Sequence, residues 1–447
     1  MSLLNGRVFL LLLLLPALAL AAGGCDCDDD DDDDVAGDDD QAPGDDDTAD
    51  DDAVDDDTAD DDTADDDTAD DDTVSPAEPF IEEGKKYLRA AAGDLARQQF
   101  LLGLEADPEH EGVWYGIVLS DILHDFDTVS ILWAYIEMFL GFQPPEMPKD
   151  PPQSGQSFID DLVNIALEGL LVESSNELTA WVEQLYAERP DVIFELDRMP
   201  IIFNFEEVAD AHGDFDIAEA VAAEAVARVL CGAVEHALAL NLDFNLGIIF
   251  EMMEVNWDQY PIDELIGLVV DYLLAMIDDP IFPDFLTLKD DAELYRTAGI
   301  KVGLGFRRAA QTYALMVSDQ ESQDNEVLGY QDLNGDREWS ENEPLIVPPW
   351  GVLDGEQNEA AWVFEELFGQ LADSFLDYTE YDSDPDNSQP FRLAYLNPVL
   401  DTLGLWGIIP DWDSLVIDFG ANYRDADPTA LRDQLVLILK IADMFLP

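Results

Sequence analysis

Residues 77 to 110 read AEPFIEEGKKYLRAAAGDLARQQFLLGLEADPEH, and this stretch decides the fold. Apolar side chains recur every three or four residues in two runs, Phe80 to Leu88 and Leu95 to Leu104. That is the period of a helix with one face turned inward. Ala90 to Asp94 offers a turn between the runs. Asp107-Pro108 ends the second, because proline lacks an N–H and disfavours helix in the residue before it. Gly84, Ala96 and Gly103 leave room for two helices to cross closely, and Phe80, Tyr87 and Phe100 fill the wedge beside them. The segment is predicted to be a helical hairpin.

With Pro108 set at the terminal proline, the same 34 residues resemble the tetratricopeptide repeat. Phe80, Gly84, Tyr87, Ala96, Phe100, Gly103, Leu104 and Pro108 all fall in register. The next repeat would begin at Glu111 and places Trp114 where Phe80 stood, an agreement that played no part in setting the register. Gly213-Asp214-Phe215-Asp216-Ile217-Ala218 is similar to the turn between the two helices of such a repeat. The resemblance implies stacked helical pairs with a concave face that takes up other proteins. One repeat cannot bury both its faces, so the rest of the chain must supply irregular helical pairs that pack against it. An ordinary helical hairpin with small residues at its crossing is the alternative.

Outward from this hairpin the helical period continues with few alternating runs. Helices are predicted at 77–90, 94–106, 111–123, 128–141, 157–172, 176–188, 215–240, 262–277, 290–317, 357–379 and 428–446. Asp427-Pro428 supplies a capping side chain and a proline at the first helical position, and Arg189-Pro190 stops the helix before it. The prolines of Gln143 to Gln156 mark a boundary between a repeat region, 77–143, and a larger helical domain, 157–447. The fold class is therefore all-α. Leu265 to Ile277 is the most apolar segment, but it carries Asp271 and reads as a buried helix.

The formal charge is −83, and it is unevenly spread. Residues 26–76 hold 29 Asp and no Lys or Arg, leaving 73 acids against 18 bases from Ala77 onward. From Asp45 to Val74 the chain repeats DDDTA with small variations, preceded by Asp28 to Asp34. Like charges at that density oppose collapse and nothing apolar offsets chain entropy, so 25–76 is predicted to be a disordered, extended tether. At ~3.1 Å per residue it spans up to roughly 150 Å. Such a chain repels phosphate backbones, which excludes nucleic acid as a partner.

Arg7 precedes the apolar run Val8 to Ala22, too short to span a membrane, and residues 1–24 read as a signal peptide. Leu20-Ala21-Ala22-Gly23-Gly24-Cys25 resembles the bacterial lipoprotein box, which implies diacylglycerol on Cys25. Ala22 stands where that family usually has Leu, Val or Ile, and ordinary cleavage after Ala19 or Ala21 is the rival. The expected address is the cell envelope, periplasmic or outer surface, with a lipid as the sole membrane contact. Cys27 and Cys231 are the only other thiols, which rules out a disulfide framework. Cys231 reads as a small core residue.

Residues 332–343 read DLNGDREWSENE. They resemble an EF-hand-type loop, which implies calcium ligands Asp332, Asn334, Asp336, Glu338 (through its carbonyl), Ser340 and Glu343. Arg337 replaces the usual glycine, Trp339 takes the apolar position, and Pro344 forbids an immediate second helix. The pattern is nearer to the free-standing calcium loops of exported bacterial proteins, a structural site; an unliganded acidic turn is the alternative. Asp382, Asp384 and Asp386 read as a plain acidic loop. Asp210, His212, Asp214 and Asp216 read as capping and solvated groups.

No nucleophile elbow, zinc-binding His-Glu-x-x-His, phosphate loop or dinucleotide fingerprint occurs, and the four His share no ligand spacing. The first expectation is therefore a lipid-anchored scaffold that binds other envelope proteins and is not an enzyme. A calcium-binding structural envelope protein is the second, and a hydrolase using two carboxylates is the third.

Overall fold

The computed structural model describes residues 75–141, 154–203, 206–255, 262–289, 291–318, 327–331, 333, 337, 339–340, 343–347, 351–353, 366–376, 390–392 and 416–445. The signal segment, Cys25, the tether to Val74, most of the proline-rich stretch and Asp382 to Asp386 lie outside these residues. The described body is mostly helical, with one long β-hairpin and several two- or three-residue strands.

Helices α1 (Glu78–Leu88) and α2 (Gly93–Ala106) form the hairpin expected from the opening stretch. Ala91 turns the chain between them with a left-handed φ of 51°. Ser75 closes the open end: its hydroxyl accepts from the Ala77 N–H at 3.2 Å and donates to Asp107 at 2.7 Å. Helix α3 (Glu111–Gly141) follows. Two helices, 111–123 and 128–141, were expected here, and the structure corrects this to one continuous helix. The polar run His124-Asp125-Phe126-Asp127 contains no glycine or proline to break it. Asp125 turns inward to accept a hydrogen bond from Ser175 at 3.1 Å, so the helix continues through it.

Helices α4 (Gln156–Glu168) and α5 (Leu171–Glu188) meet at a sharp corner, with Leu170 in the left-handed region. Strands β1 (Phe194–Phe203) and β2 (Glu206–Phe215) then pair antiparallel, from Phe194 opposite Phe215 to Phe203 opposite Glu206, with two irregularities in register. This hairpin is the main departure from an all-α reading. It also corrects the reading of Gly213 to Ala218. These residues end a strand and cap a helix, and do not join two helices.

Helix α6 (Ile217–Ala239) starts from a complete capping box. The Asp216 carboxylate accepts from the Ala218 N–H at 2.6 Å, and Glu219 accepts from the Asp216 N–H at 2.7 Å. Both satisfy donors that a helix start otherwise leaves orphaned. The long helix α7 (Ala292–Ser318) lies along α6. Their backbones approach through glycines: a Cβ on Gly232 would sit 2.7 Å from Val302, and one on Gly305 would sit 2.7 Å from Val229. Two further short helices, α8 (Phe368–Leu376) and α9 (Phe419–Asp425), cover the other side of α7. There Phe375 and Tyr423 press on Gly303 and Gly299.

One apolar core joins α1, α2 and α3 to α5, β1, β2 and α6, so segments on both sides of the proline-rich stretch share it. Phe194 stacks on Tyr115 at 5.6 Å and meets Phe100 edge-on at 6.2 Å. A second core gathers Trp133, Ile136 and Phe158 with Phe244, Met252, Ile277 and Phe285. It includes side chains from Leu246–Glu254, Ile262–Ile277 and Pro428–Phe445, three further helices. The expected buried helix at Leu265 to Ile277 falls within the second of these. Among the described residues no helix is long and apolar enough to cross a membrane.

Candidate functional site

The repeat-like positions come together as one packing unit. Phe100, fully buried, fits between two glycines. A Cβ on Gly84 would lie 2.5 Å from its ring, and a Cβ on Gly116 of α3 would lie 2.2 Å from it. Gly103 faces Val113 and Phe80, at 3.0 and 3.4 Å from its hypothetical Cβ. Ala96 is buried, and Tyr87 and Leu104 flank the same core half-buried. Pro108 is exposed, but its carbonyl accepts from the Trp114 indole at 2.8 Å, which ties the hairpin to α3. Beyond Trp114 the hairpin does not recur, because 111–141 is a single helix.

On α2 and α3 four large apolar side chains face outward: Leu95 and Leu102, then Ile131 and Met138. Each pair is seven residues apart and so lies on one face of its helix.

Of the expected calcium ligands, Asp332, Asn334, Asp336 and Glu338 lie outside the described residues. Glu343 is buried, and its carboxylate accepts from the N–H groups of Leu333 at 3.1 Å and Ser340 at 2.7 Å. Arg337 has a φ of 60°, left-handed at the loop position where glycine is usual. Trp339 donates from its indole to the Glu343 carbonyl at 3.1 Å and meets Tyr313 edge-on. Glu343 thereby joins the two ends of the loop, and Trp339 rests on α7. Among the described residues no group of three or more His, Cys, Asp or Glu is placed to hold a metal.

The structure also reveals buried charge that the sequence reading did not single out. Asp121 and Asp125 stand one turn apart on α3, at 2% and 6% exposure. Burial pushes both carboxyls up to about 6, against the Arg97 guanidinium at Asp121 and against Ser174, Ser175 and His124 at Asp125. Arg97 donates to Asp121 at 2.7 Å and also binds Glu177 of α5. At such low exposure these two acids are sealed from substrate; what they can exchange is a proton.

A second buried group lies between α6 and α7. Glu224, wholly buried, accepts from Arg228 of its own helix at 2.6 Å and pairs with Arg308 of α7 at 2.9 Å. Two turns along, Lys301 of α7 donates to Glu235 at 2.6 Å, to Asn176 at 3.1 Å and to the Cys231 sulfur at 3.1 Å. At the far end His236 binds the Tyr423 hydroxyl at 2.8 Å, and burial lowers it to about 4. The i, i+4 spacings Glu224–Arg228 and Cys231–Glu235 were the available sequence signal, since both put the partners on one helix face.

Compared with protein-family models, curated proteins and solved structures, the chain finds no match.

Proposed function

We propose that this chain is an exported scaffold, held to the cell envelope by a lipid on Cys25, whose helical body binds other envelope proteins. The observation that carries this reading is the outward apolar pairs Leu95/Leu102 and Ile131/Met138, on helices anchored by the Phe100 packing unit. Apolar residues at heptad spacing on an exposed face are what a partner helix or groove engages. The acidic body selects partners carrying complementary charge. The resemblance to tetratricopeptide pairing at 77–110 supports the same role, with Gly84, Ala96 and Gly103 as the close-crossing positions.

The test is affinity capture from detergent-solubilised envelopes with wild type and with Leu95→Glu/Leu102→Glu. The proposal expects a partner retained by wild type and lost by the variant at unchanged helical content. Identical capture by both, or none by either, refutes it. The intact mass of the mature chain tests the anchor separately, since acylation adds lipid mass at Cys25.

A second reading is a structural calcium ion at 332–343, supported by the left-handed Arg337 and by the buried Glu343 at the loop's end. Each Glu343 oxygen accepts one N–H, from Leu333 or Ser340, which leaves a second lone pair on each for a cation. Equal melting temperatures in calcium and in chelator, for wild type and Asp332→Ala alike, would remove it.

A further inference from the structure

Cys231 is 1% exposed on α6, yet it is not a plain core thiol. The Lys301 ammonium has three donors and spends one on its sulfur at 3.1 Å. The other two go to Glu235 and Asn176. Nitrogen and sulfur thus already stand at the ~3–3.5 Å typical of reacting atoms held in place. Close helix crossing at Gly232 fixes both backbones: its hypothetical Cβ would lie 3.0 Å from the Ala298 carbonyl and 3.3 Å from the Val302 nitrogen. A second observation points the same way. Glu235 is 94% buried, and while one of its oxygens holds Lys301, the other has no hydrogen-bond partner. A buried carboxylate with a spare lone pair beside an ammonium is a proton acceptor in waiting. Asn176 is exposed, so the pocket lies one side chain from solvent, within reach of a small oxidant.

We propose that Cys231 and Lys301 are a modification site, at which a peroxide converts the sulfur–ammonium contact into a covalent sulfur–nitrogen crosslink between α6 and α7. In the first step the sulfur gives up its proton and attacks hydrogen peroxide. An S–O bond forms, the O–O bond breaks, and water leaves, so sulfur is oxidised by two electrons and peroxide is reduced by two. In the second step Glu235 takes a proton from Lys301, and the freed amine lone pair attacks the sulfenic sulfur. An S–N bond forms, the S–O bond breaks, and the departing hydroxide leaves as a second water with a proton from the nitrogen. The proton on Glu235 passes to solvent. One thiol, one ammonium and one peroxide give one sulfenamide, two waters and a proton. Burial raises the Cys231 thiol against the stabilising contact of Lys301, which makes the first step slow and keeps the site reduced until oxidant is abundant.

The experiment is peptide mapping of the full chain after hydrogen peroxide, with and without later dithiothreitol. The expected product links the peptides containing residues 231 and 301, at their summed mass less two hydrogens. Both free peptides should be lost in equal proportion and recovered on reduction. Lys301→Arg keeps the cation but has no amine to condense, and should show no link and a Cys231 that traps a sulfenic-acid reagent. Free, unmodified 231 and 301 peptides in wild type at peroxide doses that fully oxidise its exposed methionines would overturn the proposal. So would Cys231 oxidised to sulfinic acid with Lys301 intact. The wild-type measurement decides the matter even where the variant folds poorly.

Discussion

Asp125→Asn should make this protein more stable at neutral pH, and the gain should vanish in acid. The carboxyl is raised from 3.8 to about 6 by burial between α3 and α5. The folded state therefore holds the proton more firmly than the unfolded chain does. Below about pH 4 both states are protonated and the site contributes no penalty. Between roughly pH 4 and 6 the folded state loses its advantage, and above pH 6 the penalty is constant. At ~1.4 kcal/mol per pH unit, the full penalty is about 3 kcal/mol. Asparagine is isosteric, keeps an oxygen to accept from Ser175, and cannot ionise. Some of the gain is spent on the new amide N–H groups, which leaves about 1–3 kcal/mol at pH 7.5. Urea unfolding of wild type and variant from pH 3.5 to 7.5 measures this as a difference that cancels the general acid titration of so acidic a chain. A constant difference across that range, or a variant less stable at pH 7.5, would refute the reasoning.

Three further outcomes are expected. Gly116→Ala puts a methyl 2.2 Å from the Phe100 ring and should cost about 1–3 kcal/mol despite better helix propensity, with part recovered in Gly116→Ala/Phe100→Leu by thermal melts. Glu219→Ala removes the acceptor for both the Asp216 and Leu328 N–H groups, bonds of 2.7 Å each; a loss of about 1–3 kcal/mol and faster amide exchange at Leu328 should follow. His236 is depressed from 6.5 to about 4, so its contribution is intact above pH 6.5 and is lost as pH falls towards 4. Its ring is only partly shut away, so the difference is about 2 kcal/mol, and His236→Gln should flatten that part of the stability–pH curve.

Residue types that act locally made much of the helical body legible. Pro428 after Asp427 starts a helix where expected, Asp107-Pro108 ends one, and the Gly84, Gly103 and Phe100 pattern marks a close crossing. What escaped depends on partners distant in sequence. Pro200 inside Phe194–Phe203 argues against a strand, but it pairs with Asp210 near an irregular register and the hairpin accommodates it. His124 to Asp127 looks like a break because four polar or bulky residues fall together; only Ser175, fifty residues on, explains why Asp125 stays inside the helix. The candidate site divides in the same way. The left-handed turn at Arg337 and the burial of Glu343 are observed within the candidate loop, whereas nothing local in Lys301 tells that it will meet Cys231.

The clamp on Glu224 has a consequence for how the body assembles. Alanine and valine dominate α6, and α7 crosses it closely at Ala298, Val302 and Gly305, small side chains that alone would tolerate more than one alignment. Sliding one past the other by a single turn moves Arg308 about 5.4 Å and leaves the buried Glu224 with Arg228 of its own helix alone. The slipped alignment loses one charge-assisted contact in a dry interface, and only the observed one brings both guanidinium groups to the same acid. Glu224 therefore favours one register of α6 against α7 over its neighbours.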